Sequence, residues 1–406
     1  MPMREPWLTV IGMGDGGLES LTGEQRAHLA RAEILVLGER LEHKIAEAVP
    51  AAKRILTWGA GFRQTLEEVL KLRGMPVVVL ATGDPMHFGI AATLLRFVEA
   101  AEMRVLPSPS AFSLAAARLG WPLQTVAQIS LHGRPSAFLN RHILPGQRLL
   151  ALTSDAGTVF DVADLLVKRG FGSSRLTVLE HMGGSEERIL SFSAKEILKE
   201  APALADFNTL AVECLGEGAW CAPVPGLPDE AFRHDGQLTK SEVRAVTLSK
   251  LSPFPNALLW DVGAGCGSIA IEFLRVGLGT RAIAIEEKPE RVAMIRDNAL
   301  DLGTPDLEIV EGAAPVALQG LDAPDVIFIG GGITADGLFE TCWQSLKPGG
   351  RLVANAVTIE GEARLAQLRG VHGGDLLRLS VSRAAPVGRY CGWKSLMPVT
   401  IWSARK

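Results

Sequence analysis

Twice along this chain, short apolar runs suited to β-strands alternate with helix-patterned stretches, and such alternation marks α/β architecture with parallel strands. The first series places strands at Leu8–Ile11, Ile34–Leu37, Val77–Leu80, Arg104–Leu106, Arg148–Leu152, Leu176–Leu179 and Thr209–Glu213. From Gly216 to Gly236 proline and glycine crowd a stretch without apolar period, which reads as a linker. A second series follows at Leu258–Val262, Ala282–Ile285, Leu307–Val310, Val326–Ile329, Leu352–Ala356, Leu376–Val381 and Pro398–Trp402. No helical stretch separates its last two runs, so these are expected to pair antiparallel and close the sheet. A chain of 406 residues has room for two or three domains. The expected division is 1–215, a linker at 216–236, and 237–406.

Composition narrows the function classes. Hydrophobic residues make up 47% and charged residues 21%, which suits a folded globular chain and not a disordered one. The longest apolar runs, such as Val77–Ala81 and Leu149–Leu152, fall far short of the roughly 18 residues a membrane-spanning helix needs. Arg4 and Glu5 precede a short apolar stretch that runs straight into Gly12, without a signal-peptide pattern, so a cytoplasmic protein with no membrane partner is expected. The net charge of −4 supplies no field to hold a nucleic acid. Cys214, Cys221, Cys266, Cys342 and Cys391 include no C-x-x-C pair, which argues for free thiols and against a metal site.

The sharpest local signal is Asp261-Val-Gly263-Ala264-Gly265-Cys266-Gly267, between a strand and the helical stretch Ser268–Arg275. Residues without a β-carbon let the chain turn sharply there and let a ligand approach the N–H groups at a helix start. The next strand ends at Glu286, at the spacing where an acid accepts hydrogen bonds from ribose hydroxyls. Ser268 stands where a dinucleotide fingerprint would carry its third glycine, which disfavours NAD. The pattern resembles class I S-adenosylmethionine (SAM) methyltransferases. After the fourth strand the chain reads Asp325-Val-Ile-Phe-Ile-Gly330-Gly-Gly and lacks the acid-Pro-Pro-aromatic loop of nucleobase amine methylation.

Three strand-to-helix turns in the first half are candidates for a second crevice. They are Gly12-Met-Gly14-Asp15-Gly16-Gly17, Thr82-Gly83-Asp84-Pro85, and Pro107-Ser-Pro-Ser110. Thr22-Gly-Glu-Gln25 predicts a capping box after the first turn. Helices are expected at Ile90–Ala100 and Ala111–Leu119. Taken alone, Gly12, Gly14 and Gly17 satisfy a weak dinucleotide pattern.

In combination these motifs resemble a known pairing. Gly12-x-Gly14-x-Gly16 with Leu21-Thr22, Ala81-Thr-Gly-Asp-Pro85, Ala115-Ala-Ala-Arg-Leu-Gly120 and Ser130-Leu-His-Gly-Arg134 are similar to the C5 methyltransferase branch of the tetrapyrrole methylases of cobalamin biosynthesis. Leu238-Thr-Lys-x-Glu-Val-Arg244, the Asp261–Gly267 loop, Glu311-Gly-Ala-Ala-Pro315 and Leu346-Lys-Pro-Gly-Gly-Arg351 are similar to the companion C15 methyltransferase and decarboxylase. The resemblance implies an N-terminal tetrapyrrole methylase fold of two α/β subdomains, followed by a class I Rossmann-like SAM methyltransferase domain. It implies one SAM site per domain, a small-molecule corrin precursor as substrate, two methylations of meso carbons, loss of an acetate carboxylate, and a homo-oligomer.

Carried onto this chain, the resemblance nominates Gly12, Gly14, Gly16, Thr82, Gly83, Asp84 and Ser110 as cofactor residues of the first half. In the second half it nominates Thr239, Asp261, Gly263, Ala264, Gly265, Cys266, Gly267, Glu286, Ala313 and Ala314. The family usually has proline where Asp15 stands and an acid where Ala313 stands. Contact with the adenine ring at Ala313 and Ala314 is therefore expected through backbone groups. No catalytic base is nominated, because enamine-like macrocycle carbons are already nucleophilic.

Thr239-Lys-Ser-Glu242 reads as a capping box that starts a helix running through Leu251. A substrate rich in carboxylates calls for cationic neighbours; candidates are His132 and Arg134 in the first half, and Arg383, Arg389, Tyr390 and Lys394 in the second. His181 and His372 read as surface or packing residues. An NAD(P)-dependent dehydrogenase using Gly12–Gly17, or a non-catalytic tetrapyrrole carrier, are the competing readings.

Overall fold

The computed structural model describes residues 6–39, 41, 45, 54–58 and 61–406; the reading of Arg4 and Glu5 lies outside them. The chain divides into two compact units, residues 1–136 with 145–218 and residues 137–144 with 219–406.

In the first unit, strands β1 (Leu8–Met13), β2 (Ile34–Gly38), β3 (Arg54–Trp58), β4 (Val77–Thr82) and β5 (Met103–Leu106) form a sheet of order β3-β2-β4-β1-β5. Its pairings are parallel throughout. All six residues of β1 are buried, as its unbroken apolar run requires of a strand covered on both faces. The chain passes from β1 to β2 on one side and from β4 to β5 on the other, so the strand order reverses beside β1 and opens a crevice at its C-terminal end.

Strands β6 (Ala127–Ser130), β7 (Arg148–Leu152), β8 (Arg175–Glu180), β9 (Arg188–Ser193) and β10 (Asn208–Glu213) form a second sheet of order β6-β7-β10-β8-β9. Here the expectation of parallel strands is corrected. Only β6–β7 is parallel; β10 inserts antiparallel between β7 and β8, and β8–β9 is antiparallel. Alternation of strand and helix along the chain does not determine the sense in which a late strand enters a sheet. Strands β3, β6 and β9, absent from the sequence reading, are edge strands with few buried residues and no continuous apolar run.

The expected capping box at Thr22 forms, with Gln25 N–H on Thr22 Oγ1 and Thr22 N–H on Gln25 Oε1. The helix expected over Ile90–Ala100 ends at Leu94, because Arg96 and Phe97 bond back three residues instead of four.

In the second unit, β11 (Leu258–Val262), β12 (Arg281–Glu286), β13 (Glu308–Glu311), β14 (Val326–Ile329) and β15 (Arg351–Ala356) are parallel. Strand β16 (Asp375–Leu379) forms the edge of this sheet. Next along the chain comes a separate antiparallel hairpin, β17 (Ser382–Val387) and β18 (Tyr390–Ser395), and then β19 (Val399–Arg405). The sheet order is β13-β12-β11-β14-β15-β19-β16, with β19 antiparallel to both neighbours, so the expected terminal pair is present.

The approach to this sheet is held by buried ion pairs around Arg244. Arg244, fully buried, donates to Glu272 and to the carbonyls of Thr239 and Leu227, and lies 3.5 Å from Asp229. Glu272 in turn accepts from the N–H groups of Gly226 (2.6 Å) and Leu227 (3.0 Å), and the Phe232 ring lies 4.7 Å from the guanidinium carbon. This corrects the capping box expected at Thr239. The helix spans Ser241–Leu251, and the side chain of its N-cap residue, Lys240, makes no capping hydrogen bond among the described residues. The Thr239 carbonyl is bound by Arg244, and Glu242 is drawn away to Arg383.

Burial holds the Glu272 carboxyl above its ordinary range even with Arg244 beside it, so desolvation outweighs the attraction of the pair. Replacing Arg244→Met alone leaves a buried, unpaired carboxylate and should destabilise the second unit by about 3–5 kcal/mol. Adding Glu272→Gln should recover more than half of that loss, as measured by urea unfolding of both variants.

Candidate functional site

At the C-terminal end of the first sheet, three turns converge on Gly12. A β-carbon there would lie 2.3 Å from the Gly83 carbonyl oxygen, 2.7 Å from Ser108 N and 2.9 Å from Pro85 Cδ. Gly83 N–H donates to the Met13 carbonyl at 2.8 Å, and Ser108 Oγ donates to the Gly12 carbonyl at 2.8 Å. Gln25, buried, uses its amide nitrogen on the carbonyls of Gly12, Leu106 and Pro107. That role was not evident from its place in a capping box, since only the folded sheet brings those carbonyls together. Asp84 Oδ1 accepts from Met86 N–H at 2.9 Å, which serves its own turn, and Ser110 caps the helix Ala111–Leu119 through Ser113 N–H.

Farther along the first loop, Gly14 N–H donates to Ser20 Oγ, and a β-carbon on Gly16 would lie 3.1 Å from the Gly183 carbonyl. His181 is more than a surface residue. Its Nδ1 lies 3.1 Å from Asp15 Oδ2, and its backbone has the positive φ of 49°. The pair ties the Gly14–Gly16 loop to the turn after β8. His132 and Arg134 lie instead beyond the end of β6, with His132 Nδ1 3.3 Å from the Thr153 carbonyl.

In the second unit, Gly263, Gly265 and Gly267 have φ of 71°, 61° and 79°, a region that side chains strongly disfavour. The Ile285 carbonyl at the end of β12 accepts from both Gly263 and Ala264, each at 3.0 Å. Glu286 points at this loop. Its Oε2 accepts from Gly265 N–H at 2.8 Å and its Oε1 from Lys288 N–H at 3.2 Å. A carboxylate has roughly four acceptor positions, so Glu286 retains capacity for the hydroxyls of a ribose. Gly312 N–H donates to the Glu286 carbonyl, which places Ala313 and Ala314 beside the same strand end. The Gln237 carbonyl lies 3.8 Å from where a Gly265 β-carbon would be, so the segment leading to Thr239 passes over the loop.

Asp261 is buried under that loop. Its Oδ2 accepts from Ala270 N–H at 3.0 Å, and its Oδ1 has no hydrogen-bond partner among the described residues. Burial, with a smaller contribution from Glu286, pushes its carboxyl up to about 7. Burial also raises the Cys266 thiol, so this cysteine is no reactive thiolate.

The cationic candidates of the second unit lie on or beside the β17–β18 hairpin. Arg383 is ion-paired, with Glu242 (2.6 Å) and Asp229 (3.0 Å), and holds the hairpin to the start of the helix Ser241–Leu251. The same pairing holds the Glu242 carboxyl down at about 2. Arg389 covers the Tyr390 ring at 5.1 Å, and Lys394 is the cross-strand partner of Arg383.

Two family models match the chain. Residues 8–198 match the family described as Tetrapyrrole (Corrin/Porphyrin) Methylases, and residues 230–406 match the Precorrin methyltransferase domain. A curated protein of Sinorhizobium sp, named precorrin-6Y C(5,15)-methyltransferase [decarboxylating], is 47% identical over 403 residues, covering 99% of this chain and 97% of its own. The chain belongs to the precorrin-6Y C5,15-methyltransferase family.

A protein of the same name from Mycobacterium tuberculosis (strain CDC 1551 / Oshkosh) is 38% identical, covering 98% of this chain and all of its own. The crystal structure of the C-terminal domain of precorrin-6Y C5,15-methyltransferase from Rhodobacter capsulatus is 45% identical with a TM-score of 0.44, covering 46% of this chain and 100% of that one. As a member of the precorrin-6Y C5,15-methyltransferase family, the chain is a SAM-dependent methyltransferase of cobalamin biosynthesis. The dehydrogenase and carrier readings are not favoured. No helix among the described residues is long and apolar enough to cross a membrane.

Two outcomes follow from the geometry. Gly12→Ala forces a β-carbon onto backbone atoms and should destabilise the first unit by about 1–3 kcal/mol, seen as a lower urea midpoint. Between pH 3.8 and about 7 the native state keeps the Asp261 proton that the unfolded chain has released, so stability falls as pH rises through that window. Asp261→Asn should therefore lose less stability than the parent protein between pH 5 and pH 8 in the same unfolding assay.

Proposed function

We propose that each half carries its own SAM site and its own reaction. Residues 1–215 methylate C5 of precorrin-6Y. Residues 237–406, with residues 226–232 of the expected linker packed into the same core, methylate C15 and remove the ring C acetate carboxylate, giving precorrin-8X. The observation that carries this reading is the presence of two glycine-lined strand ends on two separate sheets, Gly12 with Gly83 and Gly263–Gly267 with Glu286. The full-length match to a relative named for both positions supports it. Five cysteines with no C-x-x-C pair suit a reducing cytosolic setting, and a homo-oligomer belongs to the same reading.

The residues fit the cofactor. The left-handed glycines keep the β11 turn clear of side chains, Glu286 offers acceptors for ribose hydroxyls, and backbone at Ala313–Ala314 replaces an acidic side chain toward adenine. When bound, the sulfonium supplies an electrophilic methyl group. The macrocycle carbons are already electron-rich, so the chain's task is to align carbon with methyl and exclude water. This agrees with Asp84 serving its own turn and Asp261 lying buried, with neither placed as a base. In the decarboxylation, electrons of the breaking C–C bond pass into the conjugated ring as carbon dioxide leaves, a step favoured by a site that desolvates the carboxylate. His132 and Arg134 in the first unit, and Arg389, Tyr390 and Lys394 in the second, are the groups proposed to meet substrate carboxylates. Arg383 orders the hairpin through Glu242 and Asp229.

Calorimetry of the intact chain with S-adenosylhomocysteine should find two sites, and Glu286→Ala should leave one. Incubated with precorrin-6Y and SAM, the parent protein should add two methyl groups and release carbon dioxide, whereas Glu286→Ala should add one and release none. A single site in the parent protein overturns the two-site reading.

A further inference from the structure

The turn after β4 carries an aromatic side chain in a conformation that its residue type disfavours. Phe88 has φ of 55°, in the left-handed region, and its side chain is left 48% exposed. A bulky residue held this way carries strain, and an exposed phenyl ring adds an unfavourable hydration term, so the local fold gains nothing from either. The neighbouring chain nevertheless enforces the arrangement. His87 N–H bonds the Asp84 carbonyl at 3.2 Å and Ala91 N–H bonds the Pro85 carbonyl at 3.0 Å. A β-carbon on Gly89 would lie 2.5 Å from that same carbonyl, so the turn closes only with glycine there.

The rings form a continuous set. His87 stacks on Phe88 with centroids 5.4 Å apart and planes 19° apart, and both rings contact Phe112, at 4.7 and 5.9 Å. Phe112 is fully buried and belongs to one hydrophobic cluster with Leu150, Leu179 and Met182 of the second sheet and the turn after β8. Its helix starts at Ser110, in the third of the turns that converge on Gly12, and Pro85 of the second turn touches that glycine. The exposed ring is thus braced from both sheets of the first unit, beside the junction of its three turns. Met86, 46% exposed, extends the apolar surface.

We infer that Phe88, backed by His87 and Phe112, is the stacking platform for the flat face of the tetrapyrrole in the first unit. This rests on the assignment of C5 methylation to that unit. A planar conjugated ligand matches an exposed ring in a way that a peptide or a flexible chain does not, because offset stacking uses the whole of both faces. The platform supplies apolar orientation, while carboxylate recognition falls to cationic groups elsewhere. Phe88 is therefore a substrate-binding residue and takes no part in proton transfer.

The test uses the intact chain with precorrin-6Y and compares Phe88→Ala, Phe88→Gly and Phe88→Trp. Ala and Gly should raise KM for the pigment in C5 methylation by about tenfold, and Trp should stay within about threefold of the parent on the same scale. Gly also relieves the left-handed strain, so Phe88→Gly should unfold at a higher urea concentration than Phe88→Ala while remaining equally defective. S-adenosylhomocysteine affinity, oligomeric mass, and C15 methylation of a C5-methylated substrate should not change. The platform is overturned if Phe88→Gly keeps the parent KM, if cofactor affinity falls instead of pigment affinity, or if the oligomer dissociates. If the parent protein itself adds no methyl at C5, the underlying assignment fails, whatever Phe88 does.

Discussion

The Gly83 carbonyl lies 2.3 Å from where a β-carbon on Gly12 would stand, so the three turns of the first unit meet only because that position carries hydrogen alone. The same constraint recurs at β11, where three glycines in left-handed conformations let the chain turn over the strand end and come within hydrogen-bond reach of Glu286. Both proposed sites depend on backbone approaching backbone. The ligand-facing geometry is then set by main-chain atoms, which a folded sheet holds more rigidly than long side chains.

Around these strand ends the polar groups are held in fixed positions. Gln25 bridges three carbonyls from two turns, and Glu286 ties the glycine loop to the start of the next helix. Arg244 and Glu272 do the equivalent for the segment that approaches the second sheet, where desolvation wins over attraction and the pair serves to order backbone more than to add stability. Such positioning suits a reaction in which the substrate carbon is already nucleophilic. Most of the barrier reduction available to the protein then lies in alignment and exclusion of water, not in a tuned base.

Much of the fold was legible because the signals are local. The runs at Leu8, Val77, Leu258 and Val326 are buried on both faces and read as strands without help from partners. The edge strands at Arg54, Ala127 and Arg188 lack that signal, since half of an edge strand faces solvent. The Thr22 capping box formed, and the one expected at Thr239 did not. The difference is long-range: Arg244 takes the Thr239 carbonyl, and Arg383, 141 residues from Glu242, takes the acid that would have completed the box.

From the order of residues alone came the two α/β series, the glycine turns, the acid at Glu286 and the kinship with paired corrin methyltransferases. The strand series and glycine turns depend on steric rules and periodicity that act within a few residues, and the kinship rests on the resemblance of whole motifs. Only the tertiary structure decided that β10 enters its sheet antiparallel, that Arg383 is ion-paired, that His181 meets Asp15 across 166 positions, and that Phe88 stands exposed on a buried aromatic base. Each is a contact between distant segments. Its geometry follows from how whole sheets pack, and no local pattern encodes it.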